Sequence, residues 1–185
     1  MNKLAVAALL LGSLLYCDDA VSQFNRGDDV WSDIRESAIS PSGERQIMPM
    51  SYRTVALDMN ALLLLLTQAP MENRGNVRAS SLVLGLPLPD NSFGRFRVVE
   101  SPIMAPELSE KYPEIRTYVG QGIDDATATV RFDVTPAGFH AIILSENPTV
   151  YIYPYSRGNT RHYISYFKRS VPFDESKRFD EIGVE

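Results

Sequence analysis

The nine residues from Thr127 to Thr135 alternate strictly. Val130, Phe132 and Val134 fall on one side, and Thr129, Arg131 and Asp133 fall on the other. Such a pattern fits a strand with one buried face, because successive side chains of a strand point to opposite sides. Thr135-Pro136-Ala137-Gly138 then turns the chain, and Phe139 to Leu144 returns as the partner strand. This hairpin constrains the rest of the chain, since an isolated hairpin is marginal and needs further strands beside it.

Those strands can be read along the chain. Met50 to Leu57, Leu82 to Leu88, Phe96 to Glu100, Ile115 to Val119, Val150 to Tyr155 and Tyr163 to Phe167 are strand candidates separated by turn residues. Gly120 and Gly122 open a loop through Asp124 and Asp125 in this reading. Ala105 to Tyr112 suits a short helical turn. Asp58 is a natural N-cap, and Met59 to Gln68 is the one convincing helix, stopped by Pro70. Its run from Leu62 to Leu66 has no polar face, so both sides are expected to be covered, in the core rather than in a ligand groove. The expected fold is mainly β (α+β): an antiparallel meander with one buried helix, in a single domain. With 44% hydrophobic and 10% aromatic residues, the chain can build a packed core.

Residues 1–22 read as a secretory signal, with Lys3 as the positive end and Leu4 to Tyr16 as the apolar run. Ala20 and Ser22 place small residues for cleavage after Ser22. The apolar run is shorter than the about 20 residues a spanning helix needs, so no stable membrane anchor is expected. Cys17 offers a lipoprotein alternative, but bulky Tyr16 stands where a small residue belongs. Removal of the signal takes away the one cysteine of the chain. Residues 23–48 form a polar lead-in arm, with Val30-Trp31 expected to dock on the core. Residues 49–169 are the β-rich domain, and 170–185 a charged linker. Arg26-Gly27-Asp28 is too short a match to carry weight. The net charge of −5, with scattered basic residues, argues against a nucleic-acid partner.

Few residues invite chemistry. Asp124-Asp125 beside Gly120 and Gly122 can bind a cation or face a partner's metal, or can cap backbone amides in a solvated turn. His140 reads as a structural hydrogen-bonder and His162 as an exposed surface histidine. Tyr153 and Tyr155, in a tyrosine-rich C-terminal part with Tyr151, Tyr163 and Tyr166, suit either a contact surface or amphipathic strands. Lys168-Arg169 and Lys177-Arg178 are dibasic pairs that a trypsin-like protease can cut, or plain linker charge. No Gly-x-Ser-x-Gly elbow and no phosphate-binding loop is spelled out, and no catalytic residue, metal ligand or cofactor is assigned.

Several longer pieces are more specific. They are Tyr52-Arg53-Thr54, Phe96-Arg97-Val98-Val99-Glu100-Ser101-Pro102, Met104-Ala105-Pro106-Glu107-Leu108, Tyr112-Pro113-Glu114-Ile115-Arg116-Thr117-Tyr118, Gly120-Gln121-Gly122, Asp124-Asp125 and Tyr163-Ile164-Ser165-Tyr166. In this order they resemble the N-terminal prodomain of secreted bacterial reprolysin-like (adamalysin-type) zinc metalloproteases. Ala126 departs from the pattern, where relatives usually carry proline. The catalytic signature of that family, His-Glu-x-x-His, is not in the chain, whose two histidines lie 22 residues apart. The resemblance therefore implies a non-catalytic, exported zymogen segment that inhibits a cognate zinc metalloprotease catalytic domain and helps it fold. The alternative is a free-standing secreted β-domain that binds a protein or glycan. A hydrolase in its own right is the weakest reading.

Overall fold

The computed structural model describes residues 30–40, 43–73 and 77–172. The segment read as a secretory signal, with Ser22, the first part of the segment read as an arm, Lys177-Arg178 and most of the segment read as a charged linker lie outside these residues. Nine strands form one antiparallel sheet: β1 (Trp31–Asp33), β2 (Arg53–Leu57), β3 (Val83–Pro87), β4 (Phe93–Glu100), β5 (Arg116–Gly122), β6 (Thr129–Thr135), β7 (Gly138–Leu144), β8 (Val150–Pro154) and β9 (His162–Phe167). The order across the sheet is β1-β2-β9-β8-β7-β6-β5-β4-β3. From β3 to β9 this is the expected meander. The sheet curls until it is nearly barrel-shaped.

The alternation seen in the sequence becomes the inner wall. Val130, Phe132 and Val134 of β6 are buried, as are Phe139, Ala141 and Ile143 of β7. With Val55, Leu84, Leu86, Phe96, Val98, Tyr118, Ile152 and Tyr163 they make one core cluster. Trp31 joins it from β1, edge-on to Phe139 at 5.4 Å and to Tyr163 at 5.6 Å between ring centroids. The expected docking of Val30-Trp31 is thus realised by a strand. β1 pairs with β2 in the register Trp31↔Leu57, so the sheet starts inside the segment read as an arm.

Two expectations need correction. The helix α1 (Met59–Leu66) is capped as foreseen, with Asp58 Oδ1 accepting from Ala61 N at 3.0 Å. It is buried on one side only. Leu62, Leu65 and Leu66 enter the core, while Leu63 is 42% and Leu64 71% exposed. The spacing i, i+3, i+4 puts the first three on one stripe, and the sheet presents only one surface to receive it. Secondly, Gly120 and Gly122 do not open a loop. β5 runs through both, pairing Gly120 with Val98 and Val130. They are glycines because neighbours come close: a Cβ on Gly120 would sit 2.8 Å from Val130 Cγ1, and one on Gly122 would collide with the Asp125 carbonyl oxygen. A second helix, α2 (Pro106–Lys111), is exposed apart from Ser109 and starts at a proline, as a first helical turn allows.

Candidate functional site

The strand registers put Gly122, Phe96 and Thr129 at one end of the curled sheet, and Arg116, Val134 and α1 at the other. The first end opens into a cavity of about 400 Å³. Its floor is apolar, with Phe96, Ala128, Ile143 and Val150 buried and Phe93 and Phe167 half-buried. Its rim is charged and comes from three separate segments: the β3–β4 hairpin with Asp90 and Arg95, the loop with Asp124 and Asp125, and the turn after β9 with Arg169. Apolar floors with a few polar groups at the mouth of a β-barrel are common places for ligands. Asp124, Asp125 and Arg169, each conspicuous in the sequence by itself, thus meet at one mouth. Asp90 and Arg95 carry no such signal, because only the curl of the sheet brings their hairpin to the Asp124 loop.

Both carboxylates of the pair are engaged within the chain. Asp124 accepts from Arg95 three ways: from N at 3.0 Å, from Nε at 3.0 Å and from Nη2 at 2.5 Å. The Arg95 hydrogen bonds hold its pKa below the ordinary carboxylate value. Asp125 accepts from Thr127 N at 2.9 Å and Thr127 Oγ1 at 2.6 Å, and from Asn147 Nδ2 at 3.1 Å. These bonds, those of Thr127 first, lower its pKa as well. The capped-turn reading describes this geometry. A metal would have to displace bonds already made. Among the described residues, no group of three His, Cys, Asp or Glu side chains is placed to hold a metal ion.

The tyrosines divide. On the outer wall, Tyr151 stacks on Tyr166 at 5.7 Å and meets Tyr153 at 5.9 Å. Tyr153 in turn lies 5.3 Å from the His140 ring. His140 Nδ1 is 2.9 Å from Asp133 Oδ1, its partner in register across the β6–β7 hairpin. A shallow groove of about 190 Å³ runs past Tyr153, His140 and Asp133, with Arg131 and Ile142 beside it. Burial, with Tyr151 and Asp133 nearby, raises the pKa of Tyr153. The Asp133–His140 pair is missed by the sequence reading, although the Thr135–Gly138 turn already sets those two residues opposite each other. Tyr163 faces inward instead, and burial pushes it up to about 12.

Tyr155 belongs elsewhere. Its hydroxyl donates to Glu36 Oε1 at 2.7 Å, beside that of Tyr52 at 2.6 Å and Arg45 Nη1 at 3.1 Å. The Arg45 guanidinium lies 4.9 Å from the Tyr52 ring centre and 4.5 Å from that of Tyr155. This clamp ties the segment before β2 to the end of β8, and it lowers the pKa of Glu36 through the two tyrosine hydroxyls. Sequence spacing holds no sign of it. Tyr153 and Tyr155 therefore do not make one contact surface. His162 is not the exposed histidine expected either. It opens β9 opposite Ala56, half-buried, and its burial, then Arg161, lower its pKa.

Lys168 and Arg169 leave β9 in a single 3-10 turn, Lys168–Ser170. Their side chains are exposed, and the Arg169 guanidinium stacks 4.9 Å from the Phe167 ring centre. Comparison with protein-family models, curated proteins and solved structures yields no match for the chain.

Proposed function

We propose that the chain is the prodomain of an exported reprolysin-like zinc metalloprotease, which binds the catalytic domain, keeps it inactive and assists its folding. One observation carries the reading: the collinear wording from Tyr52 to Tyr166 that resembles such prodomains. Its pieces fall on four of the nine strands, β2, β4, β5 and β9, on the start of α2 and on the turn after β5. They are spread through the fold rather than confined to one short motif. Inhibition is by steric blockade in this reading. Asp124 and Asp125 already spend their oxygens on Arg95, Thr127 and Asn147. The outer row of Tyr151, Tyr153 and His140 offers an aromatic surface for the partner.

The test is titration of the chain against the metalloprotease domain encoded directly downstream, with a zinc-dependent peptide assay. Inhibition at stoichiometric amounts is expected. Absence of binding to that domain removes the proposal. The same aromatic row favours a second reading, a free-standing module that holds a protein or glycan. A reading frame that runs past Glu185 into a His-Glu-x-x-His helix decides for the prodomain.

A further inference from the structure

Lys168 and Arg169 display what a trypsin-like protease needs as side chains, but their backbone is held in the wrong shape. Such proteases bind an extended segment of several residues on both sides of the cut, in the manner of an added strand. Here Tyr166 is only 3% exposed, and Phe167 is paired with Val150 of β8. Lys168 N donates to Thr149 O at 2.8 Å and carries that ladder one residue further. Val171 N donates to Lys168 O at 3.2 Å, which closes the turn over the scissile bond. Met50 N donates to Ser170 O at 2.7 Å and ties the residue after the cut to the segment before β2. Arg169 itself lies against Phe167 at the cavity mouth.

We propose that the Arg169–Ser170 peptide bond is a conditional cleavage site, closed to trypsin-like proteases while these bonds persist and opened when the end of β9 peels away. Cleavage adds one water across the bond, leaving a carboxylate on Arg169 and an amine on Ser170. Its rate then follows the population of the locally opened state rather than the exposure of the two basic side chains. Resting on the prodomain reading, this orders maturation: the folded domain stays joined through Arg169 until the C-terminal end of β9 is loosened from β8.

The test needs no metalloprotease, so its failure and that of the prodomain reading are separable. The purified chain and a peptide of residues 162–174 are treated with trypsin, and cleavage after Arg169 is followed by mass. The folded chain is expected to be cut at this bond at least 100-fold more slowly than the peptide. Val171→Pro removes the donor that closes the turn and disfavours helical geometry at Ser170. It should speed this cut at least tenfold in the chain but not in the matching peptide, with an unchanged melting midpoint. If Val171→Pro lowers that midpoint, Met50→Pro serves in its place, removing the tie to Ser170. Cleavage of the folded chain as fast as the peptide, or no acceleration by the variant that keeps its midpoint, overturns the proposal.

Discussion

Arg53 and Asp33 form a two-point ion pair between β2 and β1, with Nε 2.7 Å from Oδ1 and Nη2 3.1 Å from Oδ2. The arginine side chain is 3% exposed and the aspartate side chain 65%. The remaining nitrogen, Nη1, donates to Ser92 O at 2.7 Å and Leu88 O at 3.2 Å, in the hairpin between β3 and β4. The Phe93 ring covers the same guanidinium at 4.6 Å. β1 and β3 are the two outer strands of the sheet, and among the described residues no strand pairing joins them. Arg53 links the two sides from within, and Ser165 Oγ adds a bond to Pro87 O at 2.7 Å.

Arg53→Met is therefore expected to cost roughly 3 kcal/mol, because the buried guanidinium's bonds to Leu88 O and Ser92 O and its pair with Asp33 are all lost. Asp33→Asn should cost about 1 kcal/mol, since water already reaches the carboxylate and the guanidinium keeps both carbonyls. Urea denaturation of the two variants checks the order. Equal losses would mean that Arg53 does not close the sheet.

The leucine run separates buried from exposed positions within one helix. Leu62→Asp places a charge where nothing is exposed, and should unfold a domain of roughly 5–15 kcal/mol stability. Leu64→Asp should cost about 1 kcal/mol or less, mostly in helix propensity. Melting midpoints decide. A loss of folding in the Leu64 variant would restore the two-sided burial that the run suggests in isolation.

Gly122→Ala should destabilise the domain by about 1–3 kcal/mol, because its Cβ meets the Asp125 carbonyl, which cannot swing away as a side-chain tip would. The same change loosens the Asp124-Asp125 loop. A neutral melting shift would show that the loop backbone yields freely.

Asp124 makes stability depend on acid. Arg95 lowers its folded pKa below the ordinary aspartate value, so its contribution is present above about pH 4 and is lost as pH falls through the folded value. The pair is exposed, so the whole effect stays under about 1 kcal/mol and shrinks in about 1 M salt. Denaturation of Asp124→Asn and the parent chain should differ by a constant amount from about pH 5 to 7 and converge below about pH 4. Curves that stay parallel down to about pH 2 would remove the assignment.

The meander is legible because its turns and its period of two are local. The Thr135–Gly138 hairpin follows from residue order alone, and so does the Asp58 cap. β1 does not, because three residues have no readable period and Trp31 acts through distant Phe139 and Tyr163. The two-sided burial expected of Leu62–Leu66 fails for a related reason: composition states what a helix can bury, while the surface it meets decides what it does bury. Asp124, Asp125 and Arg169 are legible as residues but not as neighbours, since only the curl of the sheet gathers them. Tyr155 is misplaced by alternation, because β8 ends at Pro154 and Glu36 then captures the hydroxyl.

If the chain is the prodomain proposed above, the mode of its inhibition gives the last prediction. A carboxylate that reaches the partner's zinc must first leave Arg95 or Thr127, and it then offers a harder, weaker ligand than a thiolate. A steric block needs no such exchange and uses the outer row already in place. Asp124→Asn combined with Asp125→Asn is thus expected to change inhibition of the catalytic domain less than threefold. Tyr153→Ala should weaken it tenfold or more, about 1.4 kcal/mol, by removing the ring between Tyr151 and His140. Tyr155→Ala serves as the contrast, because its hydroxyl belongs to the Glu36 clamp: it should lower stability but leave inhibition by the folded fraction intact. Inhibition constants for the three variants, corrected for the folded fraction, discriminate the routes. A tenfold loss in the aspartate double variant, with Tyr153→Ala unaffected, would put a carboxylate on the zinc instead.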